Sequence, residues 1–500
     1  MWLSDRMVEK NSSIINKCCE DGSERIAAYR LINNSRLAMD EMIDYLAKNC
    51  AQGCSCLSHV LCIQDTTEVA FSHEGRLSLD DKDFGYGTSE SGQYCIFAHP
   101  CMVVDAASRM PVGFSHMKVW SRDRADGRKK KQRRGSLKLE QKESFRWVEA
   151  AVRSAAALPP SVRKTMVCDR EGDIYSAMCM TLASGCDFLT RSIHDRPVDC
   201  DVEGGSKGLK EYMQSLPVAL EYNLELRGHK GRKARTAKMT LRFARVTFRK
   251  NDKCLDDVPE KLACYCVYAV EAPSTVPAGE EPVEWRLLTS HVVDTAEQAA
   301  ECVEWYKCRW FIEELFRVCK SEGFRIESVQ LESGAAIKKL IVLTMYAALR
   351  CVTLKRAYDE QDEAVPASRM FDDDEQELLS LEMERLQSKS PNALYNKNPF
   401  RVHSLPWAAW IIARLGGWSG YVKAHGRPGY ITMKEGLDRF NQHIEIIAFV
   451  RARDVYKVTM FAPANAVKTV ASAFQANKID TKADLCAGKV FLAERPARNQ

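Results

Sequence analysis

The 500-residue chain lacks any apolar run long enough to cross a bilayer. Its longest, Leu340 to Leu349, is closed by Arg350 and is about half of the roughly 20 residues that a spanning helix needs. That predicts a buried helix and no membrane partner. The opening MWLSDRMVEK lacks a basic stretch followed by an apolar one, so no secretory signal is expected. A large charge excess is missing too. The 72 basic and 67 acidic residues leave a net charge of +5, so any surface for nucleic acid has to be local. The 20 cysteines are scattered. Their tightest cluster, Cys50, Cys54, Cys56 and Cys62, lacks the C-x2-C pairs of a structural zinc site. Free thiols in a reducing cytosol are expected. No internal repeat is evident. An apolar content of 45% is ordinary for a globular chain, and the length suggests about three domains.

What is present is a strongly patterned stretch, WYKCRWFIEELFRVCK, from Trp305 to Lys320. Wound as a helix, it places Tyr306, Arg309, Glu313 and Lys320 within about 60° of one another. Phe311, Ile312, Leu315 and Val318 point the other way and can dock on a core. The polar stripe joins a carboxylate able to hold a divalent metal to cations able to hold phosphate oxygens. The plainer reading is a solvated helix face with an Arg–Glu pair four residues apart. More carboxylates must come from elsewhere before the sharper reading holds.

The chain supplies them in order. Residues 1–57 read as helical, with a break at Asn33-Asn34-Ser35. SHVLCIQDTTEVAFS then reads as a strand with Asp65 inside it, against propensity, followed by Thr66 and Thr67. An Asp at a strand end or bulge is the structural alternative. Two further strands, 94–106 and 112–122, suggest an antiparallel meander. The run DGRKKKQRRGS carries Arg128, Lys129, Lys130, Lys131, Arg133 and Arg134. It is either a solvated loop or a phosphate-backbone contact. A helix up to Pro159-Pro160 follows. TMVCD is then a short apolar strand ending in Asp169, a position where open α/β sheets place their chemistry. Asp169, Arg170, Glu171 and Asp173 together read as a charged site edge. CDFLTRSI is another buried strand, ending near Arg191. Residues from about 195 to 290 read as a β-rich insertion, with a basic link at 227–236 and a last strand carrying Trp285. Residues 359–400 read as a solvated acidic connection, and 406–450 return to helices.

Asp65, Asp169 and Glu313 are far apart in sequence and can meet only through a fold. Three carboxylates at one point repel unless a cation is present, and hard oxygen ligands select Mg²⁺ or Mn²⁺. At these residues the chain resembles the DDE transposases with a ribonuclease-H-like core, most of all the bacterial insertion-sequence-4 family. IQDTTEVAF resembles that family's D-T-T strand, and CDREGDIY its D-R-E-x-D motif. Tyr306, Arg309, Glu313 and Lys320 match its Tyr-Arg-Glu-Lys signature without a gap. LTRS (189–192), EWRLLTS and ARLGGW (413–418) also resemble family stretches. The likeness runs from about residue 22 to about 455.

The resemblance implies an α/β fold with a ribonuclease-H-like catalytic domain over 58–345 and the β insertion within it. It implies a helical DNA-binding region over 1–57, a helical dimerisation region over 346–460, and a tail over 461–500 with no assigned role. Asp65, Asp169 and Glu313 would bind two Mg²⁺ or Mn²⁺ ions. Tyr306, Arg309 and Lys320 would hold phosphates, with Arg191 and Arg317 as weaker candidates. Trp310 and Trp285 would receive a flipped base. The partners implied are double-stranded DNA, as terminal inverted repeats and target, and a second copy of the chain. The compartment implied is the bacterial cytoplasm, at the nucleoid. The implied reaction is cleavage at transposon ends, hairpin closure and joining to target DNA. Family members usually carry a longer stretch before the first helical match. A truncated, inactive DNA-binding or dimerising regulator is therefore one alternative reading, and a structure-selective nuclease on the same fold is another.

Overall fold

The computed structural model describes residues 3, 6, 7, 10, 12–71, 83–86, 94–122, 137–198, 207–226, 234–321, 323–388 and 397–461. The basic run at 128–134, most of the basic link at 227–236 and the tail after 461 lie outside the described residues.

The centre is a mixed sheet in the order β10-β11-β12-β13-β7-β6-β1-β4-β2, with β3 and β5 also pairing with β4. The strands of its first half are β1 (His59–Gln64), β2 (Thr67–Phe71), β3 (Gly85–Tyr86), β4 (Tyr94–Asp105) and β5 (Pro111–Trp120). β6 (Arg163–Cys168) and β7 (Asp187–Arg191) follow, and β8 (Pro197–Val198) pairs with β9 (Lys207–Gly208) in a separate ribbon. β10 (Leu220–Leu226), β11 (Arg235–Arg249), β12 (Lys261–Glu271) and β13 (Glu284–Thr289) complete the large sheet. β1, β4 and β5 form an antiparallel meander, whereas β6 runs parallel to β1 and β7 parallel to β6. The β-rich insertion is no separate lobe. β13 pairs antiparallel with β7, so the insertion extends the same sheet.

Asp65 does not sit inside a strand as its sequence context suggested. β1 ends at Gln64, and β2 begins at Thr67. Both strands pair with the same side of β4, Gln64 opposite Cys101 and Thr67 opposite Ala98, in one continuous register. Asp65 and Thr66 thus interrupt what is otherwise a single strand. The interruption has a local cause: the Thr66 N–H donates to the Asp65 carboxylate at 2.7 Å, in competition with the ladder.

The helices are α1 (Gly22–Asn33), α2 (Met39–Gly53), α3 (Arg146–Ala157), α4 (Tyr175–Ala183), α5 (Leu209–Ser215) and α6 (Ala296–Lys307). α7 (Trp310–Lys320), α8 (Gly334–Glu360), α9 (Asp373–Ser388), α10 (Leu405–Leu415) and α11 (Tyr430–Phe461) follow, short turns aside. The patterned stretch 305–320 is two helices, not one. Tight turns, with Cys308 N–H donating to the Trp305 carbonyl and Arg309 N–H to that of Tyr306, separate α6 from α7. The apolar face behaves as patterned, with Phe311, Ile312, Leu315 and Val318 all buried. α8 contains the 340–349 run, whose Leu340, Ile341, Val342, Met345 and Leu349 are buried in the main core. It runs unbroken past residue 345, where a domain boundary was expected. Among the described residues no helix is long and apolar enough to cross a membrane. The described cysteines are free thiols, most of them buried as small apolar groups.

The acidic segment after 359 also departs from its expected solvated form. α9 opens with Asp373, Asp374 and Glu375, acids that suit a helix N-terminus. Leu379, Met383 and Leu386, spaced four and three residues apart, are buried beneath them. The ARLGGW segment is used for packing inside the chain. Gly416 approaches the Thr432 carbonyl of α11, and the Trp418 indole donates to the Gly426 carbonyl at 3.0 Å. At the same crossing a Cβ on Gly436 would stand 1.9 Å from the Ile412 carbonyl oxygen, a fixed backbone atom. Gly436→Ala therefore forces α10 and α11 apart. We expect it to destabilise the protein by about 2 kcal/mol, a loss measurable by chemical denaturation. Wild-type stability in this variant would contradict that packing.

Candidate active site

The register of β1 on β6 decides where the acids go. His59 to Ile63 lie beside Arg163 to Val167, one residue each, in parallel. Continued by two residues, that register sets Asp65 beside Asp169 at the carboxyl ends of two adjacent central strands. Asp169 caps the following turn, accepting the Glu171 N–H at 2.8 Å. Glu313 arrives from the first turn of α7. Arg309, immediately before α7, spans two of the acids. It donates to Asp65 at 3.2 Å and forms an ion pair with Glu313.

Electrostatics follow from this crowding. Burial, and then the neighbouring Asp169 charge, push the Asp65 carboxyl up to about 7. The Thr66 N–H and Arg309 pull in the opposite direction, and Glu313 adds to the upward push. Tyr306 is buried, and its phenol is raised by that burial. Its ring lies 6.0 Å from that of Trp285, tilted at 61°, and 5.9 Å from the Arg309 guanidinium. Arg191 reaches the same neighbourhood and donates to the Glu284 carbonyl at 2.8 Å.

Not every expected residue joins this group. Lys320 binds the Glu68 carbonyl on β2 and lies 3.5 Å from Glu327. Glu327 in turn accepts the Ala70 N–H at 3.2 Å. Past Asp65 no β6 residue remains to pair with β2, so Lys320 and Glu327 satisfy that exposed edge. Trp310 is 51% exposed on the start of α7, and Arg317 is exposed further along it. Asp173 is no site residue. It is 2% exposed and accepts N–H groups of Ile193 and His194, the Ser192 hydroxyl and the Arg196 guanidinium. It fixes the chain after β7.

Sequence reasoning missed a support layer beneath Asp65. Arg146, buried at the start of α3, donates to the Thr66 hydroxyl at 2.9 Å and to Glu171 at 2.6 Å. Thr66 meets His99 at 2.9 Å, and His99 meets the Gln64 amide oxygen at 3.0 Å. Burial holds His99 well below its ordinary pKa, so it is neutral. With Arg146 donating to Thr66, the network assigns a Thr66 hydroxyl proton to His99 Nδ1, and a His99 Nε2 proton to Gln64. Nothing in the spacing of Arg146 or His99 could have announced this. The only hint was the D-T-T triplet itself.

The donor set fits a hard divalent cation: carboxylate oxygens alone, at a point where two acids already repel. Among the described residues, however, no three His, Cys, Asp or Glu side chains are gathered as a ready ligand shell. The Arg309 guanidinium stands between Asp65 and Glu313, so Glu313 must release it to join Asp65 and Asp169.

An α/β protein that sets two acids side by side at the ends of adjacent parallel strands, with a third on a neighbouring helix, is the class that fold and site define. Residues 180–350 match the family model of the transposase DDE domain. The match supports a DDE transposase, and with it an enzyme of the nuclease and transferase type that acts on DNA. It runs from the end of α4 to the middle of α8 and includes Glu313, whereas Asp65 and Asp169 precede it.

A pH dependence follows from Asp65. A carboxyl whose folded pKa lies above its unfolded value of about 3.9 holds its proton more tightly when folded. Its stabilising share is complete below about pH 4 and is lost as the pH rises through about 7. The cation-free protein should therefore lose stability between pH 4 and 8, by about 4 kcal/mol at most from this group. Asp65→Asn should flatten that slope and abolish the rise in melting temperature produced by Mn²⁺ at pH 8. An unchanged slope in the variant would rule out the strained carboxyl.

Proposed function

We propose that the chain is a metal-dependent DNA transposase of the insertion-sequence-4 kind. It cleaves transposon ends, closes a hairpin on each and joins them to target DNA. The observation that carries this reading is the β1–β6 register, which sets Asp65 beside Asp169 within reach of a helix-borne Glu313. A meander continuing into parallel strands supports the ribonuclease-H-like core implied by the sequence likeness. Asp65, Asp169 and Glu313 would hold two Mg²⁺ or Mn²⁺ ions. When bound, these ions lower the pKa of an attacking water and stabilise the leaving oxygen.

The chain's own side chains do the rest. Arg309 exchanges its carboxylate partners for phosphate oxygens beside the scissile bond, a bidentate task that suits a guanidinium. Tyr306 and Arg191 lie next to it and complete the phosphate cradle. Lys320 holds the β2 edge and, through it, the position of Asp65. Trp285, in contact with Tyr306, and the exposed indole of Trp310 offer aromatic faces to a displaced base. Arg146 positions Thr66 and hence the Asp65 backbone. Cleavage takes place in a synapse of two chains.

Purified full-length protein with terminal-repeat DNA and Mg²⁺ should yield hairpin-ended product on a denaturing gel. Asp169→Asn and Glu313→Gln should abolish it. Arg146→Met should slow it about 10- to 100-fold, as loss of an outer-layer partner does, while leaving DNA affinity intact. Nicking without hairpins would favour a structure-selective nuclease. Binding without any cleavage would favour a regulator.

A further inference from the structure

Well along α7 from the acids, a cavity of about 480 Å³ is lined by four cations: Lys10, Lys17, Arg325 and Lys434. Its walls are the amino-terminal segment, the turn after α7 and the first turns of α11. Glu435 is the one acid among the described lining residues. Lys10 is engaged by Glu20 at 2.7 Å. Among the described residues, Lys17, Arg325 and Lys434 form no ion pair.

Lys434 is the informative member. It is 2% exposed, and no carbonyl or carboxylate among the described residues accepts its ammonium. Among the described residues it meets the ring of Phe324, 4.9 Å from Nζ, which lines the same cavity, and the Glu435 and Asp438 carboxylates act on it through space. A cation–π contact recovers only part of what a buried ammonium loses with its water. Burial accordingly pulls the Lys434 pKa down to about 8. A cation held in an apolar wall and facing a cavity with two further cations is placed to take an anion from that cavity.

The walls are firmly held. The Phe324 N–H donates to the Val318 carbonyl at 2.9 Å. The Phe324 carbonyl accepts the Ser13 N–H at 3.1 Å and its hydroxyl at 2.7 Å, which ties the amino-terminal segment to the turn. Arg325 follows at φ 51°, a left-handed conformation that side chains other than Gly, Asn and Asp seldom adopt. The start of α11 adds the positive end of a long helix dipole.

We propose that this cavity binds a phosphate-bearing anion, with Lys434 as the inner contact and Arg325 and Lys17 as the outer ones. Its volume suits a phosphate together with part of the group that carries it. A phosphorylated small molecule and a backbone phosphate of DNA present the same oxygens. The site does not depend on the metal or on the transposition reading.

The test uses the full chain with two probes, inorganic pyrophosphate by calorimetry and a blunt DNA duplex by fluorescence anisotropy. Two variants accompany it: Lys434→Met, which keeps the length without the charge, and Arg325→Gly, which suits the left-handed backbone. We expect at least one probe to bind the wild type, and both variants to weaken it about tenfold. Their unliganded melting temperatures should stay unchanged or rise. Weakened pyrophosphate binding with unaltered DNA affinity assigns the site to a phosphorylated small molecule. Weakened DNA affinity without pyrophosphate binding assigns it to the DNA backbone. Equal affinity in wild type and folded variants, or no binding of either probe to the wild type, overturns the proposal. If Lys434→Met fails to fold, Arg325→Gly decides alone.

Discussion

Two carboxylates forced together at the ends of neighbouring strands repel, and much of the surrounding structure exists to hold them there. The parallel register of β1 on β6 imposes the encounter. The break at Asp65–Thr66 turns the chain out of the ladder where the acid must face the site. Burial raises the energy of the charged pair, and Arg309, just before α7, relieves part of it. A divalent cation would relieve far more. In the proposed reading, Arg309 is a counter-charge exchanged for metal and phosphate together.

The insertion contributes by continuity. Because β13 pairs with β7, its Trp285 is carried to the Tyr306 ring, and its backbone accepts Arg191. A separately folded lobe would have no such fixed reach. The turn between α6 and α7 has a similar effect. It lets Tyr306 sit in the last turn of α6 and Arg309 just before α7, so both lie near the acids although they share no helix. On the far side, Lys320 and Glu327 close the edge of β2, which would otherwise leave backbone groups unpaired.

Much of this was legible in the sequence. Strands 94–105, 163–168, 187–191 and 284–289 follow from β-branched and apolar runs bounded by turn residues. Asp65 stood out because an acid breaks a strand-like pattern, and Asp169 because it ends an apolar run at a position where open α/β sheets place their chemistry. Three features were not legible. The break at 308–309 is invisible to periodicity, since tight turns preserve the apolar side of the stretch. α9 was masked by its acidic opening, which reads as a solvated linker until Leu379, Met383 and Leu386 are seen to share a face. Arg146 and His99 act through contacts between distant segments, and no local pattern encodes such contacts.

Binding of Mn²⁺ to the full chain, followed by the loss of its free-ion paramagnetic resonance signal, tests the convergence of the three acids most directly. The prediction is saturable binding at pH 8 that Asp65→Asn, Asp169→Asn and Glu313→Gln each weaken, with all three variants folded. Binding that survives all three substitutions, or no binding to the wild type, would contradict a common metal centre at these carboxylates.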